Sequence, residues 1–92
     1  MKQIINGKLY STDAASLKHY WDNGKGETQA DMDEYEAESL YRTKSGEYFL
    51  WITEGCINSK IKPVSLEGAF DWLESVNADE EEITKALNVE LA

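Results

Sequence analysis

The alternation of apolar and polar positions divides the chain into short segments. Lys2-Gln3-Ile4-Ile5 and Lys8-Leu9-Tyr10 flank Asn6-Gly7. Both central residues of a type I′ turn need positive φ, which Asn-Gly tolerates, so this segment predicts a tight hairpin. Its register sets Ile4 opposite Leu9 and Gln3 opposite Tyr10. Tyr35 to Arg42 and Glu47 to Glu54 predict a second hairpin around Thr43-Lys44-Ser45-Gly46, with Gly46 in the left-handed position of the turn. There Tyr41 faces Phe49, Leu40 faces Leu50 and Ser39 faces Trp51. One face of the pair carries Leu40, Tyr48, Leu50 and Ile52. The other carries Tyr35, Tyr41, Phe49 and Trp51. With both faces partly apolar, either helices cover one and a loop the other, or the aromatic face meets a partner.

Three segments carry helical signals. Ala14, Leu17 and Trp21 fall at i, i+3, i+7, after Ser11 or Thr12 as cap and Asp13 in the first turn. Asn23-Gly24 then supplies a stop, and Lys25 to Met32 is a polar loop. Gly55 to Lys62 reads as a connection, with a short strand at Ser59 to Lys62 as an option. Beyond Pro63, Ser65 caps a helix whose stripe is Leu66, Ala69, Phe70, Leu73 and Val76, with Trp72 off it. A last helix starts near Asn77 or Asp79. Its first turn holds Glu80, Glu81 and Glu82, and its buried face Ile83, Ala86 and Leu87, with Leu91 as an extension. The expected order is ββ-α-ββ-α-α. This is a small α+β domain of two hairpins in one antiparallel sheet, with two to three helices packed on it.

Composition narrows the functional classes. At 92 residues the chain is expected to form one domain. Ten aromatics and 41% hydrophobic residues can fill a small core. A lone Cys56 excludes an intrachain disulfide framework. No apolar run approaches ~18 residues and no signal-peptide pattern opens the chain, so a cytoplasmic setting is expected. Nine Lys and Arg stand against eighteen Asp and Glu, for a net charge of −9. Residues 1–26 are net +2, residues 27–54 net −6 and residues 55–92 net −5. Such acidity argues against direct binding to a phosphate backbone.

Sites for chemistry are sparse. Asp31-Met32-Asp33-Glu34 resembles the start of a calcium loop, but Glu36 stands where Gly is needed and Arg42 where Glu is needed. Gly24-Lys25-Gly26-Glu27-Thr28 lacks the spacing of a phosphate loop. His19 and Cys56 are too few for a zinc site and lack an orienting third residue for nucleophilic catalysis. No catalytic residue, cofactor or metal is therefore expected. What remains is dense acid beside aromatics. Asp31, Asp33, Glu34, Glu36 and Glu38 form one run, Asp79, Glu80, Glu81 and Glu82 another, and Tyr35 and Trp51 offer an aromatic contact. If Asp33 to Glu38 is extended, alternate carboxylates lie about 6–7 Å apart on one side, comparable to phosphates along a strand. A basic groove could accept them in series.

The segments Ile5-Asn6-Gly7-Lys8-Leu9-Tyr10-Ser11-Thr12, Leu40-Tyr41-Arg42-Thr43-Lys44-Ser45-Gly46-Glu47-Tyr48-Phe49-Leu50 and Pro63-Val64-Ser65-Leu66-Glu67 resemble short proteins of phages and mobile elements of Gram-positive bacteria. That setting includes anti-CRISPR inhibitors, and the resemblance assigns no residue role. It implies a non-enzymatic inhibitor that binds the basic groove of a nucleic-acid-handling protein, a CRISPR effector nuclease in the most concrete case. The alternative is a small regulatory or scaffold module of a mobile element, self-associating through exposed aromatics. Membrane and direct nucleic-acid partners are not expected. The sequence leaves the oligomeric state open.

Overall fold

The computed structural model describes residues 1–24, 34–55 and 58–92. Cys56 and the segment 25–33 lie outside the described residues. The class is α+β: a two-stranded sheet, a four-stranded sheet and two helices.

Strands β1 (Lys2–Ile5) and β2 (Lys8–Ser11) form the first hairpin. Asn6 and Gly7 take φ of 52° and 77°, as the turn demands. Ile4 pairs with Leu9 and Gln3 with Tyr10. Strands β3 (Ser16–Asp22), β4 (Glu36–Arg42), β5 (Tyr48–Glu54) and β6 (Asn58–Val64) then form an antiparallel meander in chain order. The β4–β5 turn has Gly46 at φ 93°, and Tyr41, Leu40 and Ser39 face Phe49, Leu50 and Trp51.

The segment expected to form the first helix is β3. Its capping signals produce a single turn, in which the Ala15 N–H donates to Ser11 O at 3.1 Å. The chain then extends and pairs with β4. A helix of two turns is marginal alone, whereas pairing satisfies the backbone, and His19, Tyr20 and Trp21 suit a pleated surface. A register shift between Leu17 and His19 breaks the alternation that would have marked the strand.

The two hairpins do not share a sheet. The first lies across one face of the meander, where Tyr10 meets Phe49 edge-on, with ring centroids 5.6 Å apart and planes at 74°. The side-chain oxygen of Gln3 accepts the Ile61 N–H at 3.1 Å. Tyr10, Tyr41, Phe49 and Ile61 are buried in this layer. On the opposite face, Leu40, Tyr48 and Leu50 pack under α1 (Leu66–Ser75) and α2 (Glu80–Leu87). The central strands are thus sealed on both sides, which explains why neither of their faces is polar. β6 runs from Asn58 to Val64, longer than Ser59 to Lys62. Pro63 is accommodated there because β6 is an edge strand.

The helix caps follow the sequence. Ser65 Oγ accepts the Gly68 N–H at 3.0 Å. Asp79 and Glu82 form a reciprocal capping box. The α1 stripe is rotated from the expected one, because Trp72 is buried with Ala69 and Leu73. Leu66 and Phe70 remain exposed, as does Leu91. Trp72 packs in the core under the helices, and the His19 ring of β3 meets it edge-on, with centroids 5.8 Å apart. Among the described residues no helix is long and apolar enough to cross a membrane.

Candidate protein-interaction surface

Pleating decides where the first acid run points. Glu36 and Glu38 share the parity of Leu40, so they project from the helix side of the meander. Glu38 sits between Trp21 of β3 and Ile52 of β5, and Glu36 is opposite Glu54. Glu38 is half-buried and Glu36 exposed. Glu34 is exposed, and its backbone carbonyl accepts from the Asn23 side chain at 2.7 Å. Asp31 and Asp33 lie outside the described residues.

The second run is largely engaged in local structure. The Asp79 carboxylate accepts the Glu82 N–H at 2.8 Å, and Glu82 Oε1 accepts the Asp79 N–H at 3.1 Å. Glu82 Oε2 lies 3.8 Å from His19 Nδ1. Glu81 pairs with Lys85 at 3.1 Å, one helical turn on. Glu80 is left exposed.

His19 links the runs. It pairs with Leu40, two residues from the Trp21–Glu38 pair on the same face of the β3–β4 ladder. Glu82, against His19, and Glu38 therefore lie on the same side of the sheet. Glu36, Glu38 and Glu82 share this side of the sheet, Glu82 being bonded in its capping box as well. Asp79 and Glu81 face local partners instead.

Of the aromatic residues, Tyr20 and Trp51 belong to the other face. Tyr20, Ser39, Trp51 and Ile61 form one cross-strand row over β3 to β6. Ser39 is buried beneath its large neighbours. Trp51 is half-buried and tilted against Tyr41, with centroids 6.4 Å apart. Its indole N–H is buried without an acceptor among the described residues. Tyr35 reaches Tyr20 through their hydroxyls, 3.1 Å apart. That hydrogen bond, with burial and nearby Asp22, raises the Tyr20 pKa above the ordinary phenol value. Tyr20 was missed as a member of this group because the helical reading of β3 hid it. The run His19-Tyr20-Trp21 was the available signal, since aromatics favour strands.

Among the described residues no three His, Cys, Asp or Glu converge on a possible metal position. The chain matches no protein-family model, no curated protein and no solved structure.

Proposed function

We propose that this chain is a non-enzymatic acidic inhibitor that occupies the basic nucleic-acid groove of a partner protein in the cytoplasm. Its most concrete form is an anti-CRISPR protein directed at a CRISPR effector nuclease. The supporting observation is the shared side of Glu36, Glu38 and Glu82, with Glu36 and Glu38 about 6–7 Å apart along an extended strand. Carboxylates in that series offer a Lys- and Arg-lined groove the charge it uses for phosphates. Such binding gains speed from long-range attraction and weakens with salt. The test is stopped-flow association with a purified CRISPR effector. Glu36→Gln with Glu38→Gln slows association far more than it alters the melting temperature, and reversing Asp31, Asp33 and Glu34 to Lys slows it further. Unchanged association and unchanged salt dependence would count against the reading.

A second reading, a self-associating scaffold module of a mobile element, draws on Tyr20, which is half exposed at the end of its aromatic row. Sedimentation equilibrium separates the two: a dimer lost on Tyr20→Ser favours the scaffold, and a monomer favours the inhibitor.

A further inference from the structure

The rotation of α1 leaves a groove on the outside of the helix pair. It encloses about 390 Å³, and Ile83 and Leu87 of α2 contribute to it. Leu66 and Phe70 line it from α1, and Val89 and Leu91 from the segment after α2. Asn88 takes a left-handed conformation, and the Val89 N–H donates to Thr84 O at 3.1 Å, turning the chain beside the groove. Leu66 is 49% exposed, Phe70 39%, Val89 42% and Leu91 69%. Large apolar residues gathered this way on a charged protein mark a contact surface rather than scattered exposure.

The rim states the charge of the occupant. Glu67, Glu80 and Glu90 line the groove, and among the described residues no Lys or Arg joins them in the lining. Lys85, the one cation of α2, is paired with Glu81 and stands outside the lining. We propose that this groove docks a basic amphipathic helix of a partner protein. Apolar side chains at i, i+3 or i+4, and i+7 fill it, and flanking Lys or Arg meet the three glutamates. A second copy of the chain is disfavoured, because it would set glutamates against glutamates between two molecules of net charge −9. The groove does not include Glu36, Glu38 or Glu82, so this proposal does not rest on the inhibitor reading.

The probe is a labelled 14-residue Leu/Lys amphipathic peptide, titrated into the full chain and followed by fluorescence anisotropy. A Leu/Glu peptide of the same pattern is the control. The Leu/Lys peptide binds and gains helicity by circular dichroism, and the Leu/Glu peptide does not. Phe70→Ser with Leu91→Ser weakens binding at least about tenfold, as expected for apolar anchors, while the melting temperature stays close to wild type. Glu67→Gln with Glu90→Gln weakens it about fivefold at low salt, and Asp13→Asn with Glu54→Gln, an equal change of net charge at exposed positions outside the lining, by less than about twofold. Undiminished binding by the Phe70/Leu91 variant overturns the proposal. Equal losses in the two charge variants do so as well, because they reveal attraction to net charge alone. So does a dimer of the wild-type chain that the Phe70/Leu91 variant abolishes.

Discussion

Tyr41 and Phe49 face each other across β4 and β5 with their rings nearly parallel, 5° between planes and 5.3 Å between centroids. Phe49 has no exposed surface and also receives the edge of Tyr10. One ring therefore joins the meander to the first hairpin. Phe49→Ala is expected to cost roughly 3–5 kcal/mol, the range for deleting a buried aromatic. Urea denaturation measures this, and a loss under about 1 kcal/mol would contradict the packing.

The capping box at α2 gives a smaller, local expectation. Asp79→Ala removes the acceptor for the Glu82 N–H. The loss is expected to be about 1 kcal/mol, visible as a lower thermal midpoint. Asp79→Ser should restore most of it, because a hydroxyl also caps. A Ser variant as unstable as the Ala variant would show that charge, not capping, is what Asp79 contributes.

Alkaline pH should weaken the fold through Tyr41. Burial, followed by the Asp13 charge, raises its pKa above the ordinary value of 10.0. As pH rises past 10, tyrosine in the unfolded chain ionises first. The unfolded state then holds fewer protons, and stability falls with pH until the folded-state value is passed. Below pH 10 this contribution is fully present. Tyr41→Phe should lessen the decline in stability between pH 10 and 11, followed by urea midpoints, with Tyr20 supplying a remaining part. An unchanged slope would place the responsible group elsewhere.

The chain itself should not bind nucleic acid. With a net charge of −9 it repels phosphate. A gel shift with duplex and single-stranded probes at low salt, where electrostatic binding is strongest, should show none. A clear shift would also end the inhibitor reading, since a phosphate-like surface does not attract phosphate.

The sequence made both hairpins legible because their turns carry their own geometry. Asn6-Gly7 and Gly46 set the registers before any tertiary contact is considered. Ser65 marked the start of α1 for the same local reason, and of the two starts open for α2, Asn77 and Asp79, the structure takes Asp79. β3 was obscured because its capping residues form a real single turn and its alternation breaks at a bulge. The separation into two sheets depends on the first hairpin packing Tyr10 edge-on against Phe49, across the face of the meander, rather than on β2 extending it, a choice no local pattern encodes. Trp72 was misjudged for a related reason: the facing His19 belongs to an element read as a helix. At the site, the two acid runs were visible as blocks. Their unequal use was legible only in part: the capping box and the Glu81–Lys85 pair join residues three and four apart on α2, whereas the approach of Glu82 to His19 exists only in three dimensions. The groove at Leu66 and Phe70 was hidden because an apolar stripe gives no sign of which edge of it stays uncovered.

The segments that seal the meander lie on opposite sides of it in sequence. The hairpin covering Phe49 and Tyr41 precedes the sheet, and the helices covering Leu40 and Leu50 follow it. A chain emerging from the ribosome therefore carries the cover for its aromatic face before that face exists. The other face stays bare until α2 has left the exit tunnel. Premature termination beyond β6 would leave a sheet with one sticky side, so clearance of truncated products, more than of full-length chains, should fall to chaperones and proteases.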